Sequence, residues 1–114
     1  LSIEWKKEFI KKYKESGLPF HLIDPSRGGF VDGRHDDIIV QNNKKDIANS
    51  IALVAYTRTP SAGTSMEIMF AYMLHIPVYT FCPSTKISAW VLMHSYATTA
   101  TVEGLIQYLR RLTV

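Results

Sequence analysis

The chain has 114 residues, 46% of them apolar, which suffices for one compact core and is too little for two domains of ordinary size. Its 13 Lys and Arg against 10 Asp and Glu leave a small basic excess, carried mostly by Lys6, Lys7, Lys11, Lys12, Lys14, Arg110 and Arg111. That distribution marks solvated helix faces and argues against a nucleic-acid polymer as partner, while a small anionic ligand stays compatible. The single cysteine, Cys82, excludes an internal disulfide and a cysteine metal cluster. The apolar runs Ile51 to Tyr56 and Ile68 to Leu74 are far shorter than the roughly 20 residues that cross a membrane, and no signal peptide is visible. A reducing, cytoplasmic setting is the expectation.

In chain order, Ile3, Phe9, Ile10 and Tyr13 recur at helical spacing among lysines, so Ser2 to Ser16 is expected as an amphipathic helix that Ser2 starts and Gly17 ends. Phe20 to Ile23 reads as a short strand closed by Asp24-Pro25-Ser26. The three glycines between Arg27 and Arg34 mark a connection, and Asp36 to Ser50 follows as a helix with Ile39, Asn43 and Ile47 on one stripe. Ile51 to Tyr56 and Pro77 to Phe81 are continuous apolar runs of the kind buried on both faces of a parallel sheet, with a helix from Thr64 to Leu74 between them. A short helix near Ile87 to Met93, a weak strand around Tyr96 to Ala100, and a helix from Val102 to Leu112 capped by Thr101 complete the chain. Alternating strands and helices imply a three-layer α/β fold with a parallel sheet, whose ligands bind at the carboxyl ends of the strands.

The chemistry concentrates after the strand Ile51 to Tyr56, in the turn Pro60 to Glu67. Gly63 lets the backbone approach a ligand, Thr64 opens a helix whose free N–H groups favour an anion, and Glu67 stands about one turn in, beside apolar Ile68, Met69, Phe70 and Ala71. Glu67 is either an acid that complements the helix dipole, worth about 0.3 to 1 kcal/mol, or a group aimed across the strand ends. Met66, Met69 and Met73 on the same helix are either core residues, the commoner case, or cover for a dimer contact. His21, His35, His75 and His94 have no metal-ligand spacing.

Through Asp24-Pro25-Ser26-Arg27, the helix Asn43 to Ser50, Gly63-Thr64-Ser65-Met66-Glu67, and Ala71-Tyr72 followed by Ile76-Pro77-Val78, the chain resembles the nucleoside 2-deoxyribosyltransferase-like superfamily over nearly its whole length. The resemblance implies one domain of Rossmann or flavodoxin-like type over residues 1–114 with strand order 2-1-3-4-5. It implies further that the first strand of that order precedes Leu1, so that the domain is N-terminally incomplete. It makes Glu67 the nucleophile that attacks the glycosidic carbon. Members acting on free nucleosides usually carry aspartate six residues before the nucleophile, whereas the 2'-deoxynucleoside 5'-monophosphate N-glycosidases carry serine, as Ser61 does here. A hydroxyl there donates to a phosphate dianion that a carboxylate would repel.

Ile87-Ser88-Ala89-Trp90 is similar to a segment in which a serine reaches the phosphate bound in the neighbouring subunit, which implies a homodimer with shared active sites; Ser88 is otherwise an ordinary helix-start serine. Asp24 and Arg27 are implied contacts to base or sugar, with a plain turn role as the alternative. The superfamily's proton-handling aspartate corresponds to Asn43, and many relatives also have aspartate where Ile51 stands. Asn43 therefore marks a weakened relative, a site in which Asp46 substitutes, or a residue changed to trap substrate. The expected reaction is cleavage of a nucleoside 5'-monophosphate to free base and sugar 5-phosphate, with no metal or organic cofactor. The alternatives are transfer of the sugar to a second base and a catalytically silent nucleotide sensor.

Overall fold

The computed structural model of the chain describes residues 2–22, 44–57, 62–83 and 87–112. In chain order these form α1 (Ser2–Ser16), α2 (44–48), β1 (Leu53–Tyr56), α3 (Ala62–Met73), β2 (Val78–Phe81), α4 (Ala89–His94), β3 (Ala97–Thr99) and α5 (Val102–Arg110). The three strands pair in parallel in the order β1-β2-β3, with Leu53 opposite Val78 and Tyr79 opposite Ala97.

Alternation along the strands sends successive side chains to opposite faces and creates two cores. On one face Tyr79 and Phe81 of β2 meet Phe9 and Tyr13 of α1 and Val102, Leu105, Ile106 and Leu109 of α5. On the other, Ala55 and Val78 meet Ile47 of α2 and Ile68 and Ala71 of α3, with Val91 of α4 at the margin. The described elements therefore form the expected three layers. All four residues of β2 are buried because it is paired on both edges and covered on both faces.

The helix ends have local causes. Gly17, at φ 73°, turns the chain out of α1, a conformation without steric penalty for glycine. At the end of α3 the His75 N–H reaches the Tyr72 carbonyl (3.0 Å) and the Ile76 N–H reaches the Ala71 carbonyl (2.9 Å), a Schellman closure that puts His75 itself at φ 61°. Thr101 caps α5 by accepting from the Gly104 N–H at 2.9 Å.

Two strand expectations are corrected. Phe20 to Leu22 is not a strand: the Tyr13 hydroxyl donates to the Phe20 carbonyl at 2.6 Å, Phe20 and Leu22 pack on the α1–α5 core, and among the described residues no strand lies alongside to form a ladder. β1 begins at Leu53 rather than Ile51, which is 44% exposed, and only its Ala55 is buried, because among the described residues β1 is an edge strand paired on one side. The segment from Ile23 to Asn43 lies outside the described residues, as do Arg58 to Ser61. Among the described residues no helix is long and apolar enough to cross a membrane.

Candidate active site

Because all three strands run the same way, each helix that follows a strand begins at the carboxyl edge of the sheet. That edge gathers the N-termini of α3, α4 and α5 and the strand ends Tyr56, Phe81 and Thr99. The ladder extends one residue further there, through Thr57 N–H to the Phe81 carbonyl (3.1 Å) and Cys82 N–H to the Thr99 carbonyl (2.8 Å). The positive ends of helix dipoles and their free N–H groups make such an edge receptive to an anion.

α3 starts at Ala62, two residues before the expected Thr64. Gly63 is thus a residue of the first helical turn with an ordinary negative φ rather than a turn glycine, and it is exposed. Thr64 follows, half-buried. Glu67 is the sixth residue of α3, on its second turn, one turn above Ala71, which is fully buried against the sheet. Residues four apart share a helix face, so Glu67 continues the buried stripe of Ala71 toward the carboxyl edge.

Burial pushes the Glu67 carboxyl above its usual range, and among the described residues no hydrogen bond or ion pair compensates the lost hydration. A carboxylate whose role was to complement the helix dipole would be drawn the other way, toward a lower pKa. Desolvation dominates. A desolvated carboxyl near the carboxyl edge of a parallel sheet has the surroundings that nucleophiles and general bases use.

Asp46 is half-buried on α2, and its carbonyl accepts from the Ser50 hydroxyl at 2.6 Å. Its neighbour Ile47 packs with Ile68 and Ala71, and Lys44 lies 5.7 Å over the Phe70 ring, so α2 is docked along α3 in the same layer. Asp46 and Glu67 are therefore on adjacent helices. Ser88 is the N-cap of α4, with its hydroxyl oxygen accepting from the Trp90 N–H at 3.2 Å. The helix-start role is thereby filled, and the hydroxyl proton remains available to a ligand. Asp24, Arg27, Asn43 and Ser61 lie outside the described residues.

Thr57 joins the site from the structure alone. Its Oγ1 is buried just after β1 without a hydrogen-bond partner among the described residues, a state that costs about 1 to 3 kcal/mol and calls for an explanation. The only sequence signal is a polar residue immediately after an apolar strand. Cys82, buried at the end of β2 with its thiol 4.0 Å from the Thr57 carbonyl, packs as the sequence leads one to expect.

For the methionines of α3 the sequence leaves two readings open, core or cover for a contact, and Met69 is half-buried. Met66 and Met73 are 71% and 70% exposed rather than core, since the core stripe of α3 is already formed by Ile68 and Ala71. With Tyr72, whose ring meets His94 edge-on at 4.6 Å, and with Trp90 and Met93 of α4, they make an exposed apolar surface on the outer side of α3 and α4. Comparison of the chain with protein-family models, with curated proteins and with solved structures returns no match.

Proposed function

We propose that the protein is an N-glycosidase acting on a nucleoside 5'-monophosphate, in the manner of the nucleoside 2-deoxyribosyltransferase-like superfamily. The observation that carries this reading is Glu67, a desolvated carboxylate with no partner among the described residues, aimed at the carboxyl edge of a parallel sheet. In the first step a Glu67 oxygen attacks C1' of the sugar, the C1'–N bond breaks, and its electron pair leaves with the base, which takes up a proton. In the second, water attacks C1' and gives up a proton, which replaces the one taken up by the base, the bond to Glu67 breaks, and the carboxylate is restored with release of sugar 5-phosphate.

The phosphate falls to the helix N-termini and hydroxyls of the same edge: the first turn of α3 with Gly63 and Thr64, Ser61 just before it, and Ser88 from a second subunit. The exposed apolar surface of α3 and α4 supports a homodimer, since contiguous patches of this kind are uncommon on monomers. Asp46, on the helix beside α3, is the acid that would protonate the departing base where the superfamily's aspartate is replaced by Asn43. The three parallel strands fit the order 2-1-3-4-5 as its last three members. Asp24 and Arg27 would contact base or sugar.

Incubation of the protein with individual nucleotides and chromatographic detection of free base tests the proposal. Base release from a 5'-monophosphate, absent with the corresponding nucleoside, is expected. Glu67→Gln should lower the rate by roughly a thousandfold or more, as loss of a covalent nucleophile does. Equal turnover by that variant overturns the mechanism, and appearance of a new nucleoside when an acceptor base is supplied makes the protein a transferase instead.

A further inference from the structure

The opposite edge of the sheet holds a cavity that the proposed glycosidase does not use. Pro77 and Tyr79 at the start of β2, Tyr96 just before β3, and Tyr108, Arg111 and Leu112 at the end of α5 line an open pocket of about 280 Å³. Because strands and crossover helices run in opposite senses, this is the amino edge of the strands, with the thickness of the sheet between it and Glu67.

The chemistry of the walls is specific. The Tyr79 ring is buried at 3% exposure, yet its hydroxyl makes no hydrogen bond among the described residues and is open to the cavity rather than sealed in the core. Facing the open pocket, that hydroxyl can donate to water or to an acceptor on a ligand. Tyr96, 74% exposed, stands edge-on to Tyr79 with ring centroids 5.6 Å apart and forms a movable wall. Arg111 lies 5.7 Å over the Tyr108 ring and, among the described residues, pairs with no carboxylate. Its full positive charge outweighs the roughly half-unit negative charge that the carbonyl end of α5 brings to the same place. Arginine presents a planar fork that matches a carboxylate with two parallel hydrogen bonds.

We propose that this cavity is a second binding site, for a single-ring aromatic carboxylate whose ring packs among Tyr79, Tyr96 and Tyr108 and whose carboxylate pairs with Arg111. The volume of about 280 Å³ is at the small end of ligand pockets and has room for one substituted six-membered ring. The Tyr79 hydroxyl donates to the ligand's polar edge, and burial together with the neighbouring Tyr96 raises its pKa, so that it remains a donor at neutral pH.

The test is titration of the full chain with 4-hydroxybenzoate, followed by the ring resonances of the tyrosines in NMR spectra. Saturable shifts confined to Tyr79, Tyr96 and Tyr108 are expected, with affinity in roughly the millimolar range or tighter, as a ligand of about ten heavy atoms reaches at ordinary efficiency. The neutral isostere 4-hydroxybenzamide, and the carboxylate with Arg111→Gln, should each bind about tenfold weaker, and Tyr96→Ala should weaken both ligands. Arg111 and Tyr96 are exposed, so these variants keep the fold. Glu67→Gln should bind as the unaltered protein does. Absence of saturation, equal affinity for acid and amide, or loss of binding in Glu67→Gln overturns the proposal. The last result would place the ligand at the carboxyl edge.

Discussion

Gly104 sits where α5 passes closest to β3, and its replacement by alanine tests how rigidly the carboxyl edge is built. A Cβ at this position would lie 2.2 Å from Thr99 Oγ1 and 3.3 Å from Thr99 Cβ. The hydroxyl has to rotate away. Doing so breaks its two bonds to Thr101, one to the carbonyl at 3.2 Å and one from the N–H at 3.3 Å. Each such bond contributes about 0.5 to 1.5 kcal/mol net. Alanine recovers no more than about 1 kcal/mol of helix propensity, and less in a first turn. The new methyl also stands 3.1 Å from Thr101 Oγ1, the cap of α5. Gly104→Ala is therefore expected to destabilise the protein by about 1 to 2 kcal/mol, which lowers the melting temperature by about 4 to 8 °C per kcal/mol in a domain of this class. In a Thr99→Ala background the obstructing oxygen is gone, and the same substitution should be neutral or mildly stabilising. Urea denaturation of the four proteins of this double-mutant cycle measures the interaction. An equal effect of Gly104→Ala in both backgrounds refutes the reasoning.

Three other substitutions probe separate parts of the account. His75→Gly relieves a left-handed backbone that costs a side-chain-bearing residue about 1 to 2 kcal/mol, partly offset by the greater freedom of glycine in the unfolded chain; a gain of about 0.5 to 1 kcal/mol by denaturant titration is expected, and a loss would show that the imidazole contributes to stability. For Glu67 the folded pKa is raised, so the native state holds its proton more tightly than the unfolded chain, and the stability this contributes is complete at acid pH and lost as pH rises through the folded value. Melting curves should show Glu67→Gln gaining on the unaltered protein between about pH 4 and neutrality, whereas a constant difference across that range contradicts a desolvated carboxylate. Thr57→Val removes a hydroxyl with no hydrogen-bond partner among the described residues: stability should hold or rise by about 1 kcal/mol while nucleotide affinity falls about tenfold, and unchanged affinity removes Thr57 from the site.

The layered architecture is legible in the sequence because its determinants are local. The apolar β-branched run of β2, the spacing of Phe9 and Tyr13 in α1, and Thr101 before α5 each act over a few residues, and all three elements form where those signals place them. What escapes is set by distant neighbours. Phe20 to Leu22 has the composition of a strand and no ladder partner among the described residues, and Ile51 has the composition of a strand residue and stands exposed beyond the sheet. The outward position of Met66 and Met73 depends on which stripe of a nearly all-apolar helix meets the sheet, a choice fixed by Ile68 and Ala71. At the site, Glu67 stands out in sequence as the one acid in an apolar helix. Its position on the second turn follows from where α3 starts, and the orphaned Thr57 hydroxyl follows from packing that periodicity does not describe.

The central claim is that Glu67 becomes covalently bonded to the sugar during turnover. Mass spectrometry of the protein, quenched with acid during reaction with a nucleoside 5'-monophosphate bearing a 2-fluoro sugar to slow the hydrolytic step, tests it most directly. The predicted result is a mass increase equal to the fluorinated sugar 5-phosphate less one water, localised to the peptide that contains Glu67 and absent from Glu67→Gln. Base release without an adduct on that peptide, or the same adduct on the Gln variant, would contradict it.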